Sequence, residues 1–373
     1  MKKNILINAS NLHGGGAVAV ASSFIHELSL INFSNVNISL LVSSEVGENL
    51  SQKNTNTDVF CNYKIMNFYG LSSLWNGLSR EFLNYHLVFT VFGPAYFCFS
   101  KAKHLFGFAQ PWILYPNNPV LNKLNFLMRL KNKFHYFVQS VFFSRADELI
   151  VELEHVKKGL SNYSYLKNIP THIVYSTVDN VFYNQDKWRK VDFPASKADI
   201  KLGVIARDYP HKNLHCLLDV KKLLLKKYNL KADFFVTFSS QEWDGCSDEY
   251  KQKMFNVGLL TLEQCPSFYS QIDAVVFPTL LECFSATPLE SMAMGKKLFS
   301  SNLPFIKDCA LDYADYFDPL NVESIASSIA NYFLKKFNDE ALLEEAKMYV
   351  QNFSSAEDRA KKYLDLMIKA VNK

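Results

Sequence analysis

The sequence has no long apolar run: an uninterrupted stretch of about 18 apolar residues, the length of a membrane-spanning helix, does not occur. Near its start, Lys2 and Lys3 precede only a short apolar segment at residues 5–7, which is too brief for a secretory signal peptide. The seven cysteines form neither a C-x-x-C pair nor a His/Cys cluster, which argues against a disulfide framework or a structural zinc site. These absences favour a cytoplasmic protein whose contact with any membrane is peripheral.

Excess charge is also limited. Lys and Arg outnumber Asp and Glu by 40 to 36, a net charge of +4, which is well below the charge density of a dedicated nucleic-acid-binding protein. A mildly basic protein is compatible with acidic ligands such as phosphates. Hydrophobic residues make up 49% of the 373 residues, so the chain can bury real cores, and its length suits two domains.

Short apolar runs alternate with amphipathic segments from end to end. The runs that predict buried strands lie at 5–9, 38–42, 87–91, 105–109, 149–151, 173–175, 202–205, 234–238, 274–277 and 298–300. This alternation is typical of βαβ units around a parallel sheet. A polar segment at 180–199 separates two such halves. The sequence therefore predicts an α/β fold with two Rossmann-like, doubly wound domains at 1–185 and 195–350.

A glycine-rich segment follows the first predicted strand, where His13 precedes three glycines at 14–16 that open a helix. Glycines let the backbone approach a ligand closely, and helix amides favour an anion. With Ala19 the spacing also fits the dinucleotide pattern G-x-G-x-x-A, but the acidic residue expected at the end of the second strand comes late, at Glu45. A tight packing turn explains each glycine equally well. His13 is a candidate cleft residue because it adjoins the glycines.

Arg207 and Lys212 lie five positions apart on the loop after the first predicted strand of the second half. Arginine offers a planar fork and lysine a point charge, so both can bind one pyrophosphate. Solvated surface charge is the ordinary explanation for such residues. Their position at the carboxyl end of a strand, where open α/β sheets bind ligands, favours a binding role.

The segment at 282–290 carries the strongest signal, because it follows a predicted strand and opens a helix with a carboxylate at each end. Carboxylates accept hydrogen bonds from sugar hydroxyls, and the loop amides between Glu282 and Glu290 would face an anion. Thr287, Pro288 and Glu290 also fit a capping box with Thr at N-cap, Pro at N1 and Glu at N3. A cap would explain Glu290 without any ligand, whereas Glu282 has no such explanation.

Residues 122–145 combine basic and aromatic side chains without any Asp or Glu. The basic residues are Lys123, Arg129, Lys131, Lys133 and Arg145, and the interleaved aromatic residues are Phe126, Phe134, Tyr136, Phe137, Phe142 and Phe143. Such a segment can lie on an anionic membrane as an amphipathic helix. A domain helix with buried aromatic side chains and solvated charges is an equally good interpretation.

Taken together, these motifs resemble the family-4 glycosyltransferases, which are retaining enzymes of the GT-B fold. The glycine-rich loop, the Arg207 and Lys212 pair and the E-x7-E element from Glu282 to Glu290 occur in the family's order, and the likeness spans nearly the whole chain. The chain departs from the family at Cys283, where glycine is usual, and at Ala206, where the family often has glycine before the arginine of the basic pair. The resemblance implies two Rossmann-like domains facing each other across a cleft, with a C-terminal helix at 355–373 that crosses back to the first domain.

The resemblance also implies residue roles. Glu282 would hold hydroxyls of the donor sugar and Glu290 the nucleotide ribose, while Arg207 and Lys212 would neutralise the diphosphate. Glu282, Arg207 and Lys212 form the predicted catalytic set. The predicted donor-binding residues are Gly15, Gly16, Arg207, Lys212, Ser285, Ala286, Thr287 and Glu290. Candidate cleft residues besides His13 are Gln110 and Trp112, on the loop where a histidine often lies.

The function that the resemblance implies is transfer of a hexose-like unit from a nucleoside diphosphate sugar to a saccharide acceptor, with retention of configuration. Similar enzymes assemble bacterial O-antigen and capsule polysaccharides on acceptors that are often lipid-linked. No two aspartates are separated by a single residue, so the D-x-D metal motif is missing, and we expect neither a catalytic metal nor a cofactor. Two alternatives remain: an NAD-dependent oxidoreductase that uses the loop at Gly14, and a non-catalytic scaffold.

Overall fold

All the strands of the computed structural model, which describes residues 2–335 and 339–373, belong to two separate parallel sheets. The first sheet contains β1 (Lys3–Ala9), β2 (Val36–Val42), β3 (Asn62–Ile65), β4 (Leu87–Thr90), β5 (Lys103–Gly107), β6 (Glu148–Val151) and β7 (Thr171–Ile173). The second contains β8 (Ile200–Gly203), β9 (Ala232–Val236), β10 (Phe255–Asn256), β11 (Ala274–Phe277), β12 (Lys297–Ser301) and β13 (Ala314–Phe317). This confirms the predicted α/β fold.

The helices alternate with these strands along the chain. The first eight are α1 (Gly15–Ser29), α2 (Ser44–Gln52), α3 (Leu78–Glu81), α4 (Pro111–Leu114), α5 (Pro119–Asn122), α6 (Phe126–Phe143), α7 (Glu154–Leu160) and α8 (Cys216–Tyr228). The remaining ones are α9 (Ser240–Asp244), α10 (Asp248–Lys253), α11 (Cys265–Ser270), α12 (Ala286–Ala293), α13 (Pro304–Ala310), α14 (Val322–Lys335), α15 (Glu340–Phe353) and α16 (Ala356–Asn372). None of the described helices is both long and apolar enough to cross a membrane.

Strand order is the same at the centre of both sheets. The first runs β3-β2-β1-β4-β5-β6-β7 and the second β10-β9-β8-β11-β12-β13. Chain order therefore reverses between β1 and β4 in one sheet and between β8 and β11 in the other. Open parallel sheets bind ligands at such a switch point, outside the carboxyl ends of the strands. Each sheet thus provides one position where the loops can form a site.

The chain divides into two units. One comprises Met1–Pro116, Asn125–Ser176 and Ser354–Lys373, and the other comprises Asn117–Leu124 and Thr177–Phe353. The boundary after Ser176 precedes the polar segment at 180–199, whose first residues are structured. Val181 and Phe182 are buried there in a 3-10 helix, and the Phe182 ring lies 6.1 Å from that of Tyr269 in the second unit.

Helix α16 completes the core of the first unit. Its apolar face, including Ala360, Tyr363 and Met367, is buried with the strands of the first sheet and with α1. At the start of α16, the buried Arg359 donates from Nη2 to the Ser23 hydroxyl at 2.8 Å. Burial raises the pKa of the nearby Glu152 to about 7, and the charge of Arg359 opposes that shift. A hydrogen bond from a buried, charged side chain therefore connects the last helix to α1.

Three short strands were not predicted, namely β3, β10 and β13. All three lie toward the edges of their sheets, where one side of a strand has no neighbour. Their side chains are less apolar than those of the central strands, and no residue of β3 is buried. Buried central strands leave a continuous apolar run in a sequence, whereas edge strands do not.

Candidate active site

The two charged segments of the second unit meet at the switch point of its sheet. The loop with Arg207 and Lys212 follows β8, and the loop with Glu282 follows β11, the neighbour of β8. Backbone contacts join the loops, because the Leu280 amide donates to the His211 carbonyl at 2.7 Å. Residues that are 70 positions apart in the chain are thereby brought into one cluster.

Lys212 and Glu282 form a direct ion pair across these two loops. The Lys212 ammonium Nζ donates to Glu282 Oε2 at 2.8 Å, and the Thr279 hydroxyl donates to Oε1 at 2.8 Å. Both charged side chains are largely buried, with 14% of Lys212 and 11% of Glu282 exposed. The Lys212 ammonium also lies 5.1 Å from the centre of the Phe277 ring. The carboxylate is therefore held rigidly, with its charge balanced, before any ligand arrives.

The left-handed backbone of Asn213, at φ 56°, ends the short 3-10 turn (Pro210–Lys212) that presents Lys212. Asparagine tolerates this conformation better than other residues with a Cβ. Its side chain is fixed as well, since Nδ2 donates to the Pro319 carbonyl at 2.9 Å. The sequence thus supplies a turn residue at the point where the loop must reverse toward α8.

Arg207 has a different carboxylate partner. Its Nε lies 2.8 and 2.9 Å from the two oxygens of Glu242, at the start of α9. Half of the Arg207 side chain is exposed. Among the described residues, none accepts a hydrogen bond from Nη1 or Nη2 of Arg207. The guanidinium is therefore fixed along one edge while its other edge remains available.

Glu290 does not cap α12, so the predicted capping box is wrong. The helix begins at Ala286 with Ser285 at the N-cap, which places Thr287 and Pro288 inside the first turn. Proline fits there because first-turn amides have no intrahelical partner. The Thr287 hydroxyl donates to the Ile205 carbonyl at 3.3 Å instead. The structure thus removes the interpretation that explained Glu290 without a ligand.

The carboxylate of Glu290 accepts a hydrogen bond from the Tyr269 hydroxyl at 2.9 Å. Burial raises the pKa of Glu290 to about 7, and the Tyr269 hydrogen bond and the more distant Lys212 oppose the shift. No cation pairs with it among the described residues. The buried carboxylate of Glu290 can accept further hydrogen bonds from ligand hydroxyls, and such bonds would offset the cost of burying it.

The amides of Ser285 and Ala286 lie at the start of α12, between Glu282 and Glu290. The Ser285 side chain makes no capping hydrogen bond. Amides in the first turn of a helix carry partial positive charge and favour an anionic group. The end of α12 thus presents donors beside the acceptors of the two glutamates, which is the chemistry required to hold a phosphorylated sugar.

The glycine loop of the first unit lies at the other switch point, after β1. Gly15 has a φ of 66°, which side chains rarely adopt, and a Cβ built at any of Gly14, Gly15 or Gly16 would meet nothing within 4 Å. The glycines therefore do not serve close packing. Gly15 is required by the left-handed backbone, and the space around all three is open.

His13 and Glu45 bind each other in the first unit. His13 Nδ1 lies 3.2 Å from Glu45 Oε2, Nε2 lies 3.0 Å from the Phe68 carbonyl, and the ring stacks on Tyr69 at 4.0 Å. Hydrogen bonds involving the backbone and His13 lower the pKa of Glu45. Glu45 begins α2 instead of ending β2, so it does not occupy the ribose-binding position of the dinucleotide pattern.

Gln110 and Trp112 contact α6 within the first unit. Gln110 Nε2 donates to Gln139 Oε1 at 2.9 Å, and Trp112 stacks on Tyr136 with ring centres 5.4 Å apart. Burial raises the pKa of Tyr136 to about 12. These contacts give both candidate cleft residues a structural partner.

Within residues 2–335 and 339–373, one group of side chains has the spacing to hold a metal ion. Ligand atoms of Asp208, His215 and Cys246 lie within 4.8 Å of one another. Each of them already has a hydrogen-bond partner, since His215 Nε2 lies 3.0 Å from Asp208 Oδ2 and the Cys246 thiol donates to the Glu242 carbonyl at 3.4 Å. The hydrogen bond with Asp208 raises the pKa of His215, and burial raises that of Cys246. Both shifts favour the protonated forms, which do not bind metals.

Residues 185–353 match the sequence model of the family described as Glycosyl transferases group 1. The second unit of the chain is therefore similar in sequence to this family. The match covers the two loops of the cluster and α12. The group 1 family is therefore matched by the same unit in which the charged residues converge.

Two curated relatives of the chain are named as mannosyltransferases. The O-antigen chain mannosyltransferase RfbU of Salmonella typhimurium is 23% identical over 229 residues, which are 57% of this chain and 62% of the relative. The serotype-specific mannosyltransferase WbdA of Escherichia coli is 22% identical over 244 residues, which are 62% of this chain and 29% of the relative. The chain thus spans less than two thirds of the length of either relative.

Solved structures share the fold over nearly the whole chain. A glycosyltransferase from Rickettsia africae aligns with a TM-score of 0.68 at 16% identity, covering 100% of this chain and 99% of its own. Anabaena Alr3699/HepE, in complex with UDP and glucose, aligns with a TM-score of 0.68 at 12% identity, covering 98% and 100%. The fold of the chain is therefore GT-B.

Two departures from the family pattern are accommodated without strain. Cys283 is buried, and neither it nor Ala206 is among the described residues with positive φ. Glycine is therefore not required at either position by the backbone. The loops after β8 and β11 therefore reach the switch point with Ala206 and Cys283 in place of glycine.

Sequence reasoning missed three residues of the cluster, namely Glu242, Tyr269 and Thr279. Ser239 and Glu242 form a capping box in which each side chain accepts from the other's backbone, and the S-x-x-E spacing signals it. That signal predicts a helix start but not the bond to Arg207. Tyr269 lies in α11 and gives no polar signal, because it is buried in an apolar segment.

Proposed function

We propose that the chain transfers a hexose-like unit from a nucleoside diphosphate sugar to a saccharide acceptor, with retention of configuration. The observation that carries this proposal is the Lys212 and Glu282 pair, which joins the loops after β8 and β11 at a switch point. A fixed carboxylate beside fixed cations and helix amides suits a ligand that has both hydroxyls and a diphosphate. The match to group 1 glycosyl transferases in the same unit supports it.

Each residue of the cluster has a role in this proposal. Glu282 accepts hydrogen bonds from the sugar hydroxyls and Glu290 from the ribose. Arg207, Lys212 and the first amides of α12 stabilise the negative charge that develops on the departing diphosphate. The bond from the anomeric carbon to the diphosphate breaks, the acceptor oxygen bonds to that carbon on the same face, and the acceptor proton passes to a diphosphate oxygen. No metal and no cofactor takes part.

We propose that the first unit binds the acceptor. Gly15 and Gly16 of this unit are proposed to contact the donor. RfbU and WbdA are named as mannosyltransferases, and a mannose donor is accordingly the first to test. We propose a bacterial surface polysaccharide, of the O-antigen or capsule type, as the product, built on a lipid-linked acceptor at the cytoplasmic face of the membrane.

The experiment that tests the proposal is a thermal-shift screen against GDP-, UDP- and dTDP-sugars, with NAD as the competing ligand. A ligand that binds only the folded state at 100 times its dissociation constant adds about 2.7 kcal/mol to stability. Stabilisation by a nucleotide sugar, followed by slow hydrolysis of that sugar, supports a glycosyltransferase. Stabilisation by NAD alone would favour an oxidoreductase, and binding without hydrolysis or transfer would favour a scaffold.

The surface of α6 supports the membrane part of the proposal. Its residues Phe126, Leu130, Phe134, Phe137 and Val141 are each at least 46% exposed. At about 100° per residue they fall within about 80° of one another around the helix. We call this set the apolar stripe. The helix therefore directs an apolar face outward, and Phe126, Phe134 and Phe137 do not follow the interpretation in which the aromatic residues are buried.

Basic residues accompany the apolar stripe, and acidic ones are absent from α6. Lys131 and Lys133 are exposed, and Arg129 lies on the same helix. Arg145 is not part of this surface, because its guanidinium donates to the carbonyls of Phe97 and Cys98. An apolar face with basic neighbours matches an anionic lipid surface, which we propose as its occupant.

Vesicle co-sedimentation tests this occupant. Binding to phosphatidylglycerol vesicles should fall steeply as salt is raised, and binding to phosphatidylcholine vesicles should be weak. Changing Arg129, Lys131 and Lys133 to Ser should weaken binding about a hundredfold, since each basic residue contributes about 1 kcal/mol. Changing Phe126, Phe134 and Phe137 to Ser should abolish it.

A matched control changes three exposed leucines elsewhere to Ser. Leu30, Leu225 and Leu259 are each at least 52% exposed and lie outside α6. This variant should bind vesicles like the parent. If the variant without the three phenylalanines also binds like the parent, the apolar stripe does not dock on lipid. A concentration-dependent dimer that disappears in that same variant would assign the stripe to a second copy instead.

A further inference from the structure

Glu242 lies where the loops after β8 and β9 meet. Its Oε1 accepts from the Arg207 Nε at 2.8 Å and from the Asp208 amide at 3.2 Å, and its Oε2 accepts from the Ser239 amide at 2.8 Å. The side chain is 16% exposed, whereas that of Arg207 is 48% exposed. One carboxylate thus ties two neighbouring loops and the start of α9 together.

The state of this carboxylate fits a permanent contact. Burial alone would raise the pKa of Glu242, but the hydrogen bonds from Ser239 and the charge of Arg207 outweigh that effect, so the pKa is lowered. The ion pair is therefore maintained at neutral pH. A second hydrogen bond between the same two loops reinforces the site, because the Ala206 amide donates to the Thr237 side-chain hydroxyl at 3.1 Å.

The geometry of Arg207 is what gives this contact a function. Its Nε, on one edge of the guanidinium, is bound to Glu242, while no described residue accepts from Nη1 or Nη2. A long side chain that is half exposed would otherwise sample many rotamers, and ordering it costs up to about 2 kcal/mol. A guanidinium held along one edge presents the remaining donors in a fixed plane, which suits bidentate binding of phosphate oxygens.

We propose that Glu242 is a positioning residue that fixes Arg207 in the orientation required to bind the donor diphosphate. This inference rests on the proposed function, since it takes the diphosphate as the ligand of Arg207. Glu242 itself contacts no ligand. Its contribution therefore depends on Arg207 and disappears when Arg207 is absent.

The test compares Glu242→Gln with a control, Glu249→Gln. Glutamine keeps the capping geometry at the start of α9 but loses the charge that pairs with Arg207. Glu249 pairs with Lys222 at 2.8 Å on the exposed surface of the same unit, so the control removes an ion pair away from the cluster. The probes are GDP, UDP, guanosine and uridine, titrated by calorimetry, and melting temperatures establish that each variant is folded.

We expect Glu242→Gln to weaken binding of the nucleoside diphosphate about tenfold, as the loss of one oriented charged hydrogen bond implies. Binding of the matching nucleoside should change less than about twofold, and Glu249→Gln should change neither. In an Arg207→Ala background, Glu242→Gln should cause no further loss, because the residue that it positions is gone.

Four results would overturn the inference. If Glu242→Gln weakens the nucleoside and the nucleoside diphosphate equally, or weakens the diphosphate as much without Arg207 as with it, Glu242 supports the domain and does not position Arg207. If Arg207→Ala weakens the diphosphate and Glu242→Gln does not, the inference fails while the proposed donor site stands. If Arg207→Ala itself has no effect, the proposed donor site fails with it.

Discussion

The loops at the two switch points differ in chemistry although the strand order around them is the same. After β1, three glycines leave open space, and the nearby His13 and Glu45 satisfy each other. After β8 and β11, two cations are each bound to a carboxylate, and one of these pairs joins the two loops. The same strand order thus gives two different switch points. The one after β1 has open space around its glycines, and the one after β8 and β11 has charged side chains held in place by ion pairs. The difference is consistent with our proposal that the second unit holds the charged part of the donor.

The largest expected effect comes from Glu282. Glu282→Ala should abolish transfer, because it removes the carboxylate that we propose accepts hydrogen bonds from the sugar hydroxyls. It also leaves the largely buried Lys212 without its partner, so the variant should unfold at a lower temperature than the parent. Transfer assayed well below that temperature, at saturating donor, measures the catalytic loss. Near-normal turnover would show that the cluster is not the active site.

The second effect concerns the cations. Lys212→Ala and Arg207→Ala should each weaken binding of the nucleoside diphosphate by about tenfold or more, as removal of a charged hydrogen bond implies. Binding of the nucleoside alone should hold. Calorimetric titration of both ligands provides the measurement. If binding of the two ligands weakens equally, Lys212 and Arg207 stabilise the second unit and do not bind the diphosphate. The two switch points would then not differ in ligand binding.

Glu290 should produce a smaller, pH-dependent effect. Its pKa is about 7 in the folded chain against 4.5 ordinarily, so between these values the folded state binds more protons than the unfolded state. Stability from this group is full below about pH 4.5 and is lost as the pH rises through about 7. Glu290→Gln should remove that decline, whereas the decline due to Glu152 in the first unit stays. Melting temperatures from pH 5 to 8 show the difference.

The same substitution should lower donor affinity above pH 7, where the parent carboxylate is charged and accepts from the ribose most strongly. We expect about a tenfold loss there and a smaller one at pH 6, since charged acceptors bind more tightly than neutral ones. Donor affinity that is equal in parent and variant at pH 8 would remove Glu290 from the ribose site.

The smallest expected effect is at His13. His13→Ala loses the contacts with Glu45 and Phe68 and the stacking on Tyr69, which should cost about 1 kcal/mol of stability. Binding of GDP and UDP should stay within about twofold of the parent, because the residue lies at the open switch point. If His13→Ala lowers the affinity for the nucleoside diphosphate as much as Arg207→Ala does, the loop after β1 contributes to diphosphate binding as strongly as the loop after β8.

The fold was predictable because central parallel strands leave continuous apolar runs, and loops that follow such runs must gather at one edge of a sheet. The same reasoning brought Lys212 and Glu282 to one switch point. It could not show which ion pairs form. Arg207 pairs with Glu242 and Lys212 pairs with Glu282, but the sequence alone would allow each cation to pair with either carboxylate. Such choices depend on loop geometry that spacing in a sequence does not encode.

The start of α12 shows how a correct local pattern can mislead. Thr287, Pro288 and Glu290 have the spacing of a capping box, yet the helix begins earlier because a proline is acceptable anywhere in the first turn. The hydroxyl of Thr287 then reaches the Ile205 carbonyl after β8, a tertiary contact that outweighs the local cap. Helix boundaries are decided by such contacts more often than by the motif alone.

The hydrogen bond between Arg359 and Ser23 has a consequence for how the chain folds during synthesis. Arg359 and its partner Ser23 are 336 residues apart in sequence, and α16 supplies part of the core beneath β1 and α1. A ribosome therefore releases almost the whole first unit before the helix that completes it exists. The second unit, nearly all of it between residues 177 and 353, can close its core sooner. During synthesis the first unit is therefore translated first but finishes folding last. Until α16 is made, its core residues stay exposed, and a chaperone would need to protect them.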